Sequence, residues 1–297
     1  MGCTMRIVLG CFLALTLLKT TSAQEPAGEL GAVLSLAAKY VAKYEGEQLG
    51  NLLVTEEYLQ SSAEYDPVRN VPGRNVIASR GKRRLESDFL ILQVGTTPVG
   101  VRMVNKVDGV RVKSTAGSLD ALEKGSPEEN SRMIDAINKE NVRYDIGSVL
   151  RHTNVPTFAL QVVRMTEAGR FDFTRNGSEK INGIDTWKIK FAEKRFPALV
   201  HSLGPNPKPL FSTGILWIEP TTGRILKTEF SVENPYSKSK ATGRMVVEYV
   251  ENKNLGIYVP KEMVERYESD AGYVDCHAFY SNFRSFGVKV TSEIAKP

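Results

Sequence analysis

The second half of the chain is a series of short segments whose apolar residues recur at every other position, separated by turn-forming pairs. In Trp187-Lys188-Ile189-Lys190-Phe191 the two rings and the isoleucine share one side and the lysines take the other. Leu226, Thr228, Phe230 and Val232 alternate in the same way with Lys227, Glu229, Ser231 and Glu233. This period predicts strands at 170–175, 184–192, 214–219, 224–233, 243–250, 257–268 and 272–286, with turns at Asn176-Gly177 and Thr222-Gly223. An isolated hairpin is marginal in water, so successive hairpins must pair with one another. The outcome expected is an antiparallel meander.

One arm breaks the alternation. In "GILWIEPTTGRILKTEF", residues 214–230, the segment Ile215-Leu216-Trp217-Ile218 is apolar on both faces. Both faces therefore need cover.

The first half adds the helices. Leu30, Val33, Leu34, Ala37, Val41 and Tyr44 recur at helical spacing over 27–48, opposite Glu29, Lys39 and Lys43. Strands are expected at 52–60, 84–94, 100–106 and 110–114, with Asp108-Gly109 as a tight hairpin turn. Ser126-Pro127-Glu128-Glu129 is a capping box with proline at the first helical position. It opens a helix that turns Met133, Ile134 and Ile137 inward and ends near Tyr144. A further short helix is expected between Asn154-Val155-Pro156 and Gly169. Helices confined to the start and middle of a strand-rich chain make the class α+β.

The N-terminus has the layout of a secretory signal: Arg6, an apolar run from Ile7 to Leu18, and the small residues Thr21-Ser22-Ala23. Cleavage is expected after Ala23, giving a periplasmic or secreted protein. A membrane span needs about 20 apolar residues, and this run is shorter, so no transmembrane span is expected in the chain that follows. Of the three cysteines, Cys3 and Cys11 fall in the signal and only Cys276 remains, so no intrachain disulfide can staple the fold. Loss of Arg6 and Lys19 with the signal lowers the formal charge of +5 by two. That balance is too weak to indicate a nucleic-acid partner.

Catalytic groups are sparse. The histidines are His152, His201 and His277. Cys276-His277 are strand neighbours and point to opposite faces, so they cannot share a proton directly. No His or Cys spacing suits a metal, and no phosphate loop, dinucleotide fingerprint or nucleophile elbow is present. Glu56-Glu57 and Glu128-Glu129 are expected on solvated elements, the second pair with a capping role. The chain reads as non-catalytic, without cofactor or metal. The basic run Arg80-Gly81-Lys82-Arg83-Arg84 is expected in a solvated loop entering a strand, balanced by Glu86 and Asp88; the alternative is contact with anionic head groups. Phe89, Phe171, Phe173, Trp187, Phe191, Trp217 and Phe230 are either ordinary core or the lining of an apolar cavity.

Glycine, an apolar strand with tryptophan, acidic-Pro-x-Thr-Gly and a polar-alternating strand together resemble the central sheet of the LolA/LolB-like fold of periplasmic lipoprotein carriers and sensor domains. "GIDTWKIKF" and "YVPKEMVERYESD…CHAFYSNFRSFGV" follow the same strand order. The likeness covers chiefly residues 170 to 286. The chain as a whole also looks like a set of uncharacterised exported bacterial proteins, through "RRLESDFLILQV" and "VRYDIGSVLRHTNVPTFAL". The resemblance implies one domain over 24–297 with a helical insertion around 118–169. It also implies a strongly curved antiparallel sheet, an incomplete β-barrel with helices packed on its concave side. The same resemblance implies that Ile215 and Trp217 meet helices or a cavity, and Leu216 and Ile218 a covering segment such as the four-proline excursion 196–211. Its functional implication is a carrier or binding protein for a hydrophobic, lipid-like ligand. The alternative is a cell-envelope interaction or sensor module with a filled core, whose partner is a protein.

Overall fold

The computed structural model describes residues 27–48, 52–69, 75–94, 97–147, 155–164, 169–202, 206–236 and 241–287. The expected signal segment 1–23, His152 and residues 165–168 of the last expected helix lie outside them. In chain order the elements are α1 (Ala27–Lys43), β1 (Leu52–Tyr65), β2 (Ile77–Val94), β3 (Thr97–Val107), β4 (Val110–Arg111), α2 (Leu119–Lys124), α3 (Pro127–Asn141) and α4 (Gln161–Arg164). There follow β5 (Phe171–Ile181), β6 (Ile184–Glu193), β7 (Val200–His201), β8 (Pro209–Leu210), β9 (Ser212–Ile218), β10 (Ile225–Asn234), β11 (Ala241–Asn252), β12 (Ile257–Ser269) and β13 (Gly272–Ser285).

Eleven strands form one antiparallel sheet in the order β4-β3-β2-β1-β13-β12-β11-β10-β9-β6-β5, and β7 pairs with β8 in a separate ribbon. Most neighbours in the sheet follow one another in sequence. The pairing of β1 with β13 is the exception that matters, because it joins the first strands to the last and makes the meander one sheet. The order runs from an edge at β4 to an edge at β5 without closing. Asp108 and Gly109, at φ 50° and 82°, form the β3–β4 turn as expected.

The β5–β6 turn differs from expectation. It is Asn182-Gly183, at φ 49° and 83°, and β5 continues through Asn176-Gly177 to reach it. Gly177, at φ 97°, instead supports a register shift between Arg175 and Ser178. Two Asn-Gly pairs lie six residues apart, and cross-strand pairing with β6 decides which one turns the chain.

The helices occupy both faces of the sheet, which corrects the expectation of helices on one side. Val33, Ala37 and Val41 of α1 and Tyr44 just after it, with Ala159, Leu160, Val162 and Val163 around α4, pack on one face, called inner here, among Val54, Phe89, Phe191 and Phe230. Leu122 of α2 and Ile134 and Ile137 of α3 pack on the other face, against Leu53, Leu90, Leu92, Val101 and Met103. The reason lies in the strands: Leu52-Leu53-Val54 and Phe89-Leu90-Ile91-Leu92 are apolar at consecutive positions, so alternation sends oil to both sides. Ser126 caps α3 with Glu129 in the reciprocal box read from the sequence. The buried Asn130 amide donates to Leu122 O at 2.8 Å and locks α2 to α3. Residues 142–147 then bring the chain to the inner face, where Gln60 donates to Tyr144 O and accepts from Ile146 N.

Candidate functional site

Strand register places six of the seven candidate residues on the inner face. Phe173 lies opposite Phe191, Phe191 opposite Gly214, and Gly214 opposite Phe230, so one row crosses β5, β6, β9 and β10. The rings interlock: Phe171 lies 5.8 Å from Phe191, Phe191 6.1 Å from Phe230, and Phe158, beside α4, 5.3 Å from Phe230. Gly214 makes room for this contact, since a Cβ there would lie 2.5 Å from the Phe191 ring and 1.9 Å from Glu229 O. Trp187 lies four residues along β6 from Phe191 on the same face, opposite Ile218, with the Arg175 guanidinium 3.7 Å above its ring. Phe89 lies at the other end of the sheet against Tyr280.

Trp217 is on the opposite face. Register pairs it with Lys188 and Lys227, while Leu216 and Ile218 join the inner core. The expected orientation of that both-faced arm is therefore reversed. Trp217 packs with Ile181 and Leu226 in a small cluster of its own. Its indole N–H donates to Glu179 at 2.9 Å, and the Lys188 and Lys227 ammonium groups stand 5.6 and 5.3 Å from the ring centre. The indole hydrogen bond, reinforced by Lys188, holds the Glu179 carboxyl below the usual carboxylate range.

A polar network inside the inner face went unread in the sequence. Glu56, expected on a solvated element, is wholly buried; Arg102 reaches it with two hydrogen bonds, at 2.5 and 2.9 Å. The guanidinium lies 4.0 Å over the Tyr58 ring. Burial disfavours the charged Arg102, but the Glu56 carboxylate outweighs it and keeps the pKa above its ordinary value. Tyr58 OH donates to the buried Glu265 at 2.8 Å, and Tyr267 OH donates to the same carboxylate at 2.5 Å. Tyr280, across from Glu56 in register, has a buried hydroxyl without a hydrogen-bond partner, and burial with the nearby Glu56 charge raises its pKa well above the usual value. The readable signal was Val54-Glu56-Tyr58-Gln60: a carboxylate on the same side of β1 as a valine and a tyrosine.

Cys276 is buried on the inner face, whereas His277 points outward and lies 2.9 Å from Glu262. The basic run lies within β2 rather than in a loop before it. Arg84 pairs with Glu57 at 3.0 Å, and Arg83 approaches Asp108. Asp88 is engaged instead by Asn105 and Arg284. Among the described residues no cluster of three or more His, Cys, Asp or Glu could hold a metal. Nor is any helix there long and apolar enough to cross a membrane.

Two shallow depressions open on the sheet, the first reaching Phe191 and Gly214. One, about 530 Å³, lies over Ala192, Thr213 and Ser231 between Lys190, Lys194, Asp172 and Glu229; the other, about 210 Å³, lies beside Ile184 and Tyr258.

Glu45, just beyond α1, ties that helix to α4 through Arg164 at 2.8 Å, and its other oxygen is buried without a hydrogen-bond partner. Burial, partly opposed by Arg164, pushes its pKa up to about 7. The folded state therefore holds this proton over a range where the unfolded chain has released it. Its contribution to stability is complete below the ordinary carboxylate pKa and fades as pH rises towards 7. Urea midpoints measured from acid to neutral pH should fall along that slope, and Glu45→Gln should flatten it.

No protein-family model and no curated protein matches the chain. Among solved structures it is similar to a domain assigned to outer membrane lipoprotein sorting in Vibrio parahaemolyticus, at 13% identity over 84% of this chain and 91% of that one, with a TM-score of 0.42. It is also similar to a DUF1329 family protein from Desulfovibrio piger, at 12% identity over 86% and 93% of the two chains, TM-score 0.32. LprF from Mycobacterium bovis matches at 15% identity over 92% and 98%, TM-score 0.24. These are similarities of fold.

Proposed function

We propose that the protein is a non-catalytic binding module of the cell envelope, with a filled core that acts as scaffold and an outer surface that meets its partner. One observation carries this reading: the space between the sheet and the inner helices is occupied by interlocked side chains. Phe171, Phe191 and Phe230 are each at most 6% exposed, and Phe158 closes on them from the helical side. The two shallow depressions, of about 530 and 210 Å³, open beside Thr213 and Ser231 and beside Ile184 and Tyr258, not between the sheet and α1. The buried ion pair and the carboxylate held by two tyrosines are satisfied within the fold, which suits a scaffold better than a reaction centre.

The test is to purify the protein without detergent and extract it for lipid mass spectrometry. No lipid in equimolar amount is expected, nor uptake of a hydrophobic dye. Equimolar lipid would overturn the filled-core reading.

The continuity of the apolar row favours one second reading. If α1 and the α4 segment lift from the sheet, Phe89, Phe171, Phe173, Trp187, Phe191 and Phe230 would line a compartment for a lipid-like ligand. That reading also includes a sheet bent strongly enough to enclose the helices as an incomplete barrel. Each buried methylene would then contribute about 0.8 kcal/mol.

A further inference from the structure

The excursion between β6 and β9 combines two features. Phe196 and Phe211, at its two ends, are 68% and 40% exposed, yet their rings are 5.2 Å apart and tilted against each other. They form an aromatic pair presented to solvent. Residues 194–211 also carry Lys194, Arg195 and Lys208 and not one acidic residue. All three basic residues are exposed. Arg195 donates to Gly169 O, which leaves most of its guanidinium free to make other contacts. The adjoining depression carries Asp172 and Glu229, of which Glu229 is already engaged by Arg244 at 2.7 Å, and Glu193 is buried.

The pair does not belong to a loose loop end. Buried Glu193 accepts from Leu199 N at 2.9 Å and from Ser212 N and Oγ at 3.1 and 2.9 Å, with Arg170 at 3.3 Å. One carboxylate thus fastens both ends of the excursion to the sheet. Val200 and His201 pair with Leu210 and Pro209 just beyond. The rings are held out by the fold, with Lys194, Arg195 and Lys208 within three residues of one or the other in sequence.

We propose that Phe196 and Phe211, flanked by Lys194, Arg195 and Lys208, dock this protein on an anionic lipid surface. Aromatic side chains are at home at the level of the head groups, and long basic side chains extend to the phosphates while their stems cover apolar surface. Two rings offer too little area for a stable protein interface, which needs about 800 Å² from each partner. A membrane surface accepts such a wedge without a matching pocket. Charge complementarity selects the anionic bilayer over the neutral one. This docking is independent of whether the inner face takes a ligand.

The experiment is co-sedimentation of the full chain, freed of its first 23 residues, with vesicles of phosphatidylcholine alone or mixed with phosphatidylglycerol. Binding is expected to the mixed vesicles, weaker in high salt and small on the neutral ones. Phe196→Ser with Phe211→Ser should lower partitioning about tenfold. Lys194→Glu with Lys208→Glu, on exposed side chains, should remove the preference for the anionic vesicles. Unchanged thermal midpoints certify the variants, and the charge pair serves alone if the serine pair unfolds. The proposal is overturned by absence of binding to anionic vesicles, by equal binding to both compositions, or by variants that fold and bind as the parent does. Recovery of a bound lipid from the core would change none of these outcomes.

Discussion

Replacing Arg102 with methionine should lower the stability of the protein by about 3–5 kcal/mol, because it leaves a buried carboxylate without its cation. The Glu56 side chain is wholly buried and the Arg102 side chain nearly so. Neither can turn to water without leaving its strand. Arg102→Lys keeps the charge but loses the two-pronged contact and the stacking on Tyr58, so an intermediate loss is expected. The double variant Arg102→Met, Glu56→Leu should recover most of the loss, since an apolar pair avoids the desolvation penalty that the single variant suffers. Urea unfolding at neutral pH reads all three. A loss below about 1 kcal/mol for Arg102→Met would mean the pair behaves as a surface contact.

Phe191→Ala is the second large effect, about 3–5 kcal/mol. Its ring touches Phe171 and Phe230 and fills the space opened by Gly214, so truncation removes the middle of a row that no neighbour can refill. Phe196→Ala provides the contrast: an exposed ring should change stability by no more than about 0.5 kcal/mol. Denaturant midpoints compare the two. Hydrophobic dye adds a functional readout. Uptake by the Phe191→Ala protein, with none by the parent, would show that the row seals the core.

The architecture was legible because alternation is local. β6, β9, β10, β11, β12 and β13 lie close to where the period of two places them, and the capping box at Ser126 marks the start of α3. Boundaries failed where two signals competed. The earlier Asn-Gly pair looked as good a turn as the later one, and only the length of β6 opposite β5 selects between them. Arg80 to Arg84 read as loop because of their charge, yet β1 pairs with them along its far end, and backbone hydrogen bonding outweighs composition there.

The candidate site was half legible for the same reason. Period two correctly grouped Trp187, Ile189 and Phe191, but it could not say which side of the arm 215–218 belonged to the core, because both sides are apolar. Register against β6 and β10 decided that Leu216 and Ile218 turn inward and Trp217 outward. Glu56, Arg102 and Glu265 come from three strands, and their meeting depends on β1 lying between β2 and β13.

By itself the sequence determined the class, the strand periodicity and the helix caps, all of which depend on residues within a few positions of one another. Tertiary structure alone decided which apolar face became the core, where the buried charges meet, and that helices cover both sides of the sheet. Those outcomes depend on strand order and register, which are set by the packing of residues far apart in the chain.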